Sequence, residues 1–187
     1  MTRIIDTRKV RDGYIGISVV RLADGDGVSE REVASIGDSA CVLPYDPGRK
    51  VALMVRLARA PLLFQGVETP LIEAPAGMIE PGENAETAIR REAAEEAGVA
   101  LGALEPVAIC WPSPGVLAER SHLFLARYRP EDRTGVGGGL AAEHERIAVE
   151  ETPIAQLWRE AEAGRLADMK TLTLLMALRI RRPELFG

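Results

Sequence analysis

A loop and helix over residues 77–99, GMIEPGENAETAIRREAAEEAGV, constrain the fold of this chain more than any other stretch. The Pro-Gly pair at 81–82 predicts a turn, and Asn84 is a favourable N-cap. The alanine-rich run 85–97 then predicts a helix. The helix should end at Gly98, because glycine is favoured just past a helix end.

Three carboxylates share the predicted apolar face of this helix. At about 100° per residue, Glu92, Glu95 and Glu96 fall on one arc of its surface. Ala88 and Ile89 occupy the same arc, which a solvated acidic face would not explain. Carboxylates at this spacing repel one another, and burying them without a partner is too costly for a structural role. A hard divalent cation such as Mg²⁺, bound through these oxygen ligands and with its remaining coordination positions taken by phosphate oxygens and water, is the simplest compensation.

The composition is that of one globular domain with room for a small addition. The chain has 187 residues, 47% of them hydrophobic, and a net charge of −5. This charge and the scattered arginines argue against nucleic-acid binding. The apolar run 172–178 is too short to span a bilayer, and the N-terminus has no signal-peptide core. Cys41 and Cys110 predict buried free thiols, so we expect a cytoplasmic protein without a membrane partner.

Alternation of apolar and polar residues predicts the strands. Residues 14–22 and 31–35 form an expected N-terminal β-hairpin around a turn at 24–27. A lone hairpin is marginal in water, so this one must pack on its own domain or on a second subunit. Further strands are predicted at residues 39–45, 51–57, 71–74, 107–111, 121–128 and 146–150.

The C-terminal third predicts two helices. The Thr-Pro pair at 152–153 suits the start of a helix that runs to Gly164, and a last helix from about Met169 ends before Pro183. The polar, glycine-rich segment 129–140 predicts a mobile loop. Strands on both sides of a central helix, followed by two helices, predict an α/β (α+β) fold in which helices enclose a mixed sheet.

The acidic segment matches the Nudix box, G-x5-E-x7-R-E-U-x-E-E-x-G-U, and the chain resembles the Nudix hydrolases. The matching residues are Gly77, Glu83, Arg91, Glu92, Glu95, Glu96 and Gly98. Weaker segments, such as SPGVLAE and GGGLAAEHERI, are similar to the nucleotide-sugar branch of ADP-ribose and GDP-mannose pyrophosphatases. The resemblance implies an α/β/α sandwich over residues 39–187 and an N-terminal hairpin subdomain, residues 1–38, that forms a homodimer.

The resemblance also implies a metal site and a substrate site. The implied ligands of two or three Mg²⁺ ions, with Mn²⁺ as an alternative, are the main-chain carbonyl of Ala76 and the side chains of Glu92, Glu96 and Glu145. The residues implied around the substrate are Tyr14, Arg31, Glu32, Arg59, Glu119 and Lys170. Arg91 lies off the metal stripe, so we expect it to pair with Glu95 or to brace the loop carrying Glu83.

The expected reaction is hydrolysis of the pyrophosphate bond of a nucleoside diphosphate sugar resembling GDP-mannose, giving a nucleoside monophosphate and a sugar 1-phosphate. Its general base stays open: Glu143 and Glu145 are favoured, with one as ligand and one as base, and Glu119 is the alternative. The resemblance implies that Glu95 joins the metal ligands or supports them. ADP-ribose, cleaved to AMP and ribose 5-phosphate, is the alternative substrate. A non-catalytic nucleotide-sugar sensor is an alternative of another class.

Overall fold

Two sheets and four helices make up residues 1–139 and 146–187, which a computed structural model describes. The strands are β1 (Arg3–Arg11), β2 (Gly16–Asp24), β3 (Gly27–Ser35), β4 (Ser39–Asp46), β5 (Val51–Leu57), β6 (Leu71–Glu73), β7 (Ala76–Met78), β8 (Leu104–Cys110), β9 (Ser121–Arg127) and β10 (Ala148–Pro153). The helices are α1 (Ala60–Phe64), α2 (Ala85–Ala97), α3 (Ile154–Glu162) and α4 (Met169–Arg181).

A seven-stranded mixed sheet is the centre of the fold. Its main path runs β10-β5-β4-β9-β8, while β6 pairs with β5 and β7 pairs with β4. Strands β4 and β9 are parallel, and the other neighbours are antiparallel. Helix α2 covers one face, and α3 and α4 cover the other. The predicted α/β/α sandwich with a mixed sheet is therefore confirmed.

The period of two along β4 explains this layering. Strand β4 is buried along its whole length, so both of its faces are covered. Cys41 and Leu43 lie in the core that α3 and α4 cover. Ala40 and Val42 lie in the core on the opposite face, together with Ile89 of α2. The sheet thus fixes α2 and α4 on its two sides.

Helix α2 confirms the predicted helix and both of its ends. It begins after Asn84, whose side-chain oxygen accepts a hydrogen bond from the Thr87 N–H at 2.9 Å. It ends at Gly98, which has a left-handed φ of 62°. Ala88 and Ile89 are fully buried, as their positions on the apolar arc require.

The predicted N-terminal hairpin is confirmed, and a further strand extends it into a three-stranded antiparallel sheet. Strands β2 and β3 form the hairpin, but β1 also pairs with β2. Tyr14 lies in the connection between β1 and β2, so its predicted place on a strand is wrong. Shifts of register at Ile5 and Val10 interrupt β1. These bulges remove the period of two by which a strand is recognised.

The strand predicted over residues 71–74 is confirmed as β6, and a second short strand, β7, which was not predicted, follows it. Strand β6 pairs antiparallel with the end of β5, and β7 pairs antiparallel with the start of β4, so residues 71–78 cross the gap where β4 and β5 separate. Ala74 and Pro75 lie in the interruption between them. Helix α1 was not predicted, because its five residues are too few to show a helical period.

Residues 152–153 end strand β10, so the helix predicted to begin at Pro153 begins one residue later, with Pro153 as its N-cap. They continue the antiparallel ladder with β5, and a proline is tolerated there because β10 is an edge strand. Helix α3 begins at Ile154 and ends at Glu162. The predicted start and end of α4 are confirmed, with Asp168 as its N-cap.

The glycine-rich segment is anchored in its described part, residues 129–139. The N–H of Gly138 donates to the Glu96 carbonyl at 2.8 Å, and the N–H of Gly139 donates to the Glu95 carbonyl at 3.2 Å. These bonds give partners to carbonyls that the end of α2 would leave unpaired. The predicted loop is therefore held against the end of α2 at Gly138 and Gly139, and its mobility stays a prediction.

Cys41 and Cys110 carry free thiols, as predicted. Cys41 is fully buried, and burial raises the pKa of its thiol well above the ordinary value. Cys110 is only partly buried, which corrects the expectation of two buried thiols. In the two described ranges, no helix is both long and apolar enough to cross a membrane.

Gly98→Ala should destabilise the protein more than Gly164→Ala does. Both glycines follow helices at a left-handed φ, 62° and 71°, where alanine costs about 1 to 2 kcal/mol. A Cβ at Gly98 would also lie 2.4 Å from the Gly135 carbonyl oxygen, whereas a Cβ at Gly164 would meet no atom within 4 Å. We expect Gly98→Ala to lower the free energy of unfolding in urea by at least about 3 kcal/mol. Equal losses in the two variants would contradict the packing of Gly135 on α2.

Candidate active site

Strand β7 turns one edge of its backbone toward helix α2. The Val42 N–H of β4 donates to the Pro75 carbonyl at 3.0 Å, and peptide groups in an antiparallel ladder alternate between facing the partner strand and facing away. The N–H and carbonyl of Ala76 therefore both face away from β4. The Ala76 N–H donates to Glu96 Oε2 at 2.9 Å. The carbonyl of Ala76 lies on the same side as the Glu96 carboxylate.

Glu92 packs against the residue that follows Ala76. A Cβ on Gly77 would lie only 1.9 Å from the carboxyl carbon of Glu92, so this close approach requires glycine. Glu92 and Glu96, one helical turn apart, thus both lie against the Ala76–Gly77 peptide. Glu96 is buried, with 4% of its surface exposed, whereas Glu92 and Glu95 are only partly buried.

Arg91 links the acidic side chains to the loop before the helix. Its Nε and Nη2 atoms donate to the two carboxylate oxygens of Glu83 at 3.1 and 3.0 Å, and Nη2 also donates to the Met78 carbonyl. Its Nη1 atom contacts Glu92 at 2.8 Å and Glu95 at 3.3 Å. Hydrogen bonding to Arg91 lowers the pKa of Glu83. Arg91 therefore makes both predicted contacts and also offsets part of the repulsion within the stripe.

The residues at this edge fit a hard divalent cation. Glu92, Glu96 and the Ala76 carbonyl offer only oxygen donors, which is the ligand type that Mg²⁺ prefers. Within residues 1–139 and 146–187, no three His, Cys, Asp or Glu side chains group closely enough to hold an ion by themselves. The predicted ligand set also includes Glu145, which lies outside the described residues.

Arg59 and Lys170 meet on a buried carboxylate, Glu73. Arg59 donates from Nε and Nη2 to the two Glu73 oxygens at 2.7 and 3.0 Å. Lys170 Nζ lies 3.5 Å from Glu73 and 2.6 Å from Asp168. The carboxylates are almost fully buried, whereas the side chains of Arg59 and Lys170 are 37% and 25% exposed. Both cations are thus fixed by buried carboxylates and are still exposed enough to contact a ligand.

Charged partners and hydrogen bonds together shift the pKa values of Asp168 and Lys170 further than burial shifts them in the opposite direction. Burial alone would raise the pKa of Asp168, but Lys170 and Thr171 hold that pKa below its ordinary value. Burial alone would lower the pKa of Lys170, but Asp168 keeps it above its ordinary value. Both groups are therefore charged at neutral pH.

Glu119 lies where β4 pairs with β9, beside the hydroxyl groups of two serines. Its Oε1 accepts hydrogen bonds from Ser39 at 2.6 Å and from Ser121 at 3.2 Å, at the start of β4 and β9. It is 9% exposed. Ser39 pairs with Met78 across β4 and β7, so Glu119 is close to the β7 edge but in contact with a different set of residues.

The structure does not bring the N-terminal candidates into this group. Tyr14, Arg31 and Glu32 are exposed on the N-terminal sheet. Arg31 and Glu32 line a groove of about 280 Å³ beside Trp111 and the loop 114–118. Among the described residues, the contacts of Arg59 and Lys170 run to Glu73 and Asp168 and do not include these three side chains.

Glu143 and Glu145 lie outside the described residues. The residues on either side of that stretch are close together, because the Ile147 N–H lies 3.4 Å from the Gly138 carbonyl. Gly138 is in turn bonded to the last turn of α2 through the Glu96 carbonyl. A Cβ at Gly137 would lie 2.3 Å from that carbonyl oxygen, so a glycine is required there.

Three residues of this region did not stand out in the sequence: Glu73, Asp168 and Thr171. Glu73 is a charged residue at the end of the apolar run Leu-Ile-Glu-Ala, and a charge in a buried strand is a signal of a partner. Asp168 directly precedes the predicted helix and is a favourable N-cap. Thr171 gave no signal, since a threonine in a helix is common.

A family model described as NUDIX domain matches residues 36–173, which include α2, β7 and most of the sheet. The chain therefore belongs to the Nudix family, and the resemblance noted in its acidic helix is confirmed.

Several curated proteins similar to this chain carry the name GDP-mannose pyrophosphatase. One from Cronobacter sakazakii is 38% identical over 160 residues, which cover 84% of this chain and 82% of that protein. One from Pectobacterium atrosepticum is 38% identical over 152 residues, covering 81% and 77%. One from Salmonella arizonae is 36% identical over 147 residues, covering 78% and 75%.

Gly77→Ala should weaken metal binding and leave the fold intact. The added Cβ would overlap the end of the Glu92 side chain, which can rotate away, so the carboxylate leaves its position while the backbone stays. We expect the dissociation constant for Mg²⁺ in isothermal titration calorimetry to rise by about tenfold or more. Gly102→Ala is the matched control, because a Cβ there would lie 4.0 Å from the Arg127 carbonyl oxygen, an ordinary van der Waals contact. Unchanged Mg²⁺ affinity in Gly77→Ala would contradict the role of Glu92.

Proposed function

We propose that this protein is a Mg²⁺-dependent pyrophosphatase that cleaves a nucleoside diphosphate sugar resembling GDP-mannose into a nucleoside monophosphate and a sugar 1-phosphate. The observation that carries the proposal is the position of Glu92 and Glu96 against the Ala76–Gly77 peptide. Family membership favours the cleavage of a diphosphate, and the names of the relatives favour the substrate.

The carboxylates of α2 and the Ala76 carbonyl would hold the metal, with Glu145 as a further ligand. When bound, two or three Mg²⁺ ions, or Mn²⁺ in their place, neutralise the diphosphate and make a water molecule more acidic. Arg91 keeps Glu92 oriented through its contact at 2.8 Å. Most of the rate would come from this electrostatic arrangement.

Arg59 and Lys170 are placed to bind the phosphate or the sugar. The Arg59 Nη1 atom takes no part in the bidentate pair with Glu73, so the guanidinium can engage a ligand without giving up that support. Lys170 Nζ is close to the same carboxylate, at 3.5 Å. Glu119 would contact the substrate from the far side of β4.

Glu143 and Glu145 remain the favoured candidates for the general base. The alternative base, Glu119, accepts hydrogen bonds from Ser39 and Ser121, and Glu95, which would join or support the metal ligands, is in contact with Arg91 at 3.3 Å. A base must accept a proton from a water molecule within hydrogen-bond reach, which these contacts hinder.

We infer a homodimer in which residues 1–38 complete the site of the second subunit. Strand β1 is exposed along all nine residues, and Ile4, Val10 and Val28 are more than half exposed. A sheet with this much open apolar surface needs a cover, and a second copy of the chain supplies one. Tyr14, Arg31 and Glu32, which do not reach Arg59 in their own chain, would then stack on and hydrogen-bond the base in the partner's site.

Two rival functions remain open to test. ADP-ribose hydrolysis to AMP and ribose 5-phosphate uses the same metal chemistry and differs only in base and sugar. A non-catalytic sensor would bind the nucleotide sugar without cleaving it. The complete set of box carboxylates favours the enzyme over the sensor. A reducing, cytoplasmic location stays a prediction from the two free thiols.

A hydrolysis panel should identify GDP-mannose as the best substrate among GDP-mannose, ADP-ribose, UDP-glucose and diadenosine polyphosphates, each with and without Mg²⁺. We expect Glu96→Gln to lower kcat on that substrate by at least about 10²-fold at saturating Mg²⁺, because it removes a charged ligand. The fold should be kept, since the glutamine oxygen can still accept the Ala76 N–H. Chromatographic identification of the products, with initial rates, is the measurement.

Glu86→Gln is the matched control for this panel, because Glu86 is an exposed acid in the first turn of the same helix. Its kcat should equal that of the wild type. Binding of GDP-mannose without cleavage would select the sensor, and preferred cleavage of ADP-ribose would select the rival substrate. Near-full activity of Glu96→Gln would remove Glu96 from the mechanism.

Mixing two inactive variants should restore activity if the N-terminal sheet acts across subunits. Glu96→Gln loses the metal site and Arg31→Ala loses the N-terminal contribution, so a mixed dimer contains one site with neither change. Random exchange of subunits should restore up to about a quarter of the wild-type rate, with the dimer confirmed by light scattering. No recovery in mixed dimers, or a monomeric wild type, would contradict the inferred arrangement.

A further inference from the structure

Side chains, rather than a neighbouring strand, hold the backbone between β6 and β7. The Ala74 N–H donates to Thr171 Oγ1 at 2.7 Å, and the Ala74 carbonyl accepts a weak hydrogen bond from the Cys41 thiol at 3.7 Å. Pro75 has no N–H, and its carbonyl accepts from the Val42 N–H. The polar groups of this connection are thus satisfied by residues of α4 and β4.

The direction of the bond from Ala74 to Thr171 is fixed by Asp168. The ionised carboxylate of Asp168 can only accept, so the Thr171 hydroxyl, 2.6 Å from Oδ2, must donate its proton to it. The lone pairs of the hydroxyl are then turned to the Ala74 N–H. Thr171 is 0% exposed, so water does not compete with this arrangement.

We propose that Thr171, oriented by Asp168, is a positioning residue for the metal site. It fixes Ala74, and two residues further along the chain the Ala76 carbonyl and the Ala76 N–H face the carboxylate of Glu96. A shift of the Ala74 backbone would therefore move a metal ligand relative to α2. This inference rests on the function proposed above, because it assumes that Ala76 and Glu96 bind the ion.

The same carboxylate connects the metal site to the candidate phosphate-binding cations. Asp168 Oδ1 accepts from Lys170 at 2.6 Å, while Oδ2 accepts from the N–H and the hydroxyl of Thr171. Lys170 also approaches Glu73, which holds Arg59. The first turn of α4 thus fixes the spacing between the metal-binding backbone and the groups that would bind the substrate.

Thr171→Val tests the inference, because valine keeps the shape of threonine and removes the hydroxyl. We expect the dissociation constant for Mn²⁺ in isothermal titration calorimetry to rise by about tenfold, as is typical when a residue that supports a metal ligand is lost. The Mg²⁺ concentration for half-maximal hydrolysis should rise in parallel. Exchange of the Ala74 amide proton in the metal-free protein, followed by NMR, should become faster.

The control variant is Thr173→Val on the same helix, whose exposed hydroxyl donates to the Met169 carbonyl one turn earlier. It should match the wild type in Mn²⁺ affinity and in exchange of the Ala74 amide. Thr171→Ser and Thr171→Ala form a second pair that differs only in the hydroxyl. We expect the serine variant to bind Mn²⁺ with close to wild-type affinity and the alanine variant to lose affinity as the valine variant does. This pair tests the role of the hydroxyl even if the valine variant does not fold.

Wild-type Mn²⁺ affinity in Thr171→Val, or equal affinities in the serine and alanine variants, would overturn the positioning role. That result leaves the proposed function intact if the wild type still hydrolyses a nucleotide sugar. Conversely, a wild type that binds Mn²⁺ but cleaves no substrate in the panel refutes the function, while the affinities and amide exchange still report on Thr171.

Discussion

The approach of two carboxylates of α2 to the Ala76–Gly77 peptide is the contact on which the rest of the site depends. It requires a residue without a side chain at Gly77 and a backbone edge that no neighbouring strand has taken. The fold supplies both, because β4 and β5 separate and β6 and β7 cross the gap between them. A continuous sheet at this point would have used the Ala76 N–H in its own ladder and left no place for Glu96.

Charge balance at the site is more local than the acidic helix suggests. Arg91 contacts Glu83, Glu92 and Glu95 together. Part of the repulsion between Glu92 and Glu95 is therefore offset even without a bound cation. Glu73 and Asp168 do the converse and hold two cations, Arg59 and Lys170. The protein thus fixes acidic and basic groups before any ligand arrives, which lowers the reorganisation needed when charge develops in a reaction.

The sequence predicted the layered fold and α2 with both ends, because those depend on local signals: Asn84 as cap, Gly98 as terminator and the spacing of the glutamates. The predictions were wrong where pairing between strands decides the local structure. Bulges at Ile5 and Val10 concealed β1, and pairing with β5 drew residues 152–153 into a strand although they suit a helix start.

The residues of the candidate site also fall into two groups, those that local sequence signals predict and those that they do not. The residues of α2 and β7 could be named because a motif with fixed spacing carries them. Glu73, Asp168 and Thr171 come from segments far apart in the chain, and only the folded protein brings them together beneath Arg59 and Lys170. The family match and the relatives confirm the class of protein, and neither could have assigned the hydrogen bond from Ala74 to Thr171.

Anomalous diffraction from crystals grown with Mn²⁺ tests most directly whether the carboxylates of α2 exist to hold a metal. The account predicts a strong peak about 2.1 Å from oxygen atoms of Glu92 and Glu96 and from the Ala76 carbonyl oxygen, within the range for hard divalent ions. Well-ordered crystals in which these side chains keep the positions described above, with no peak beside them at saturating Mn²⁺, would contradict it.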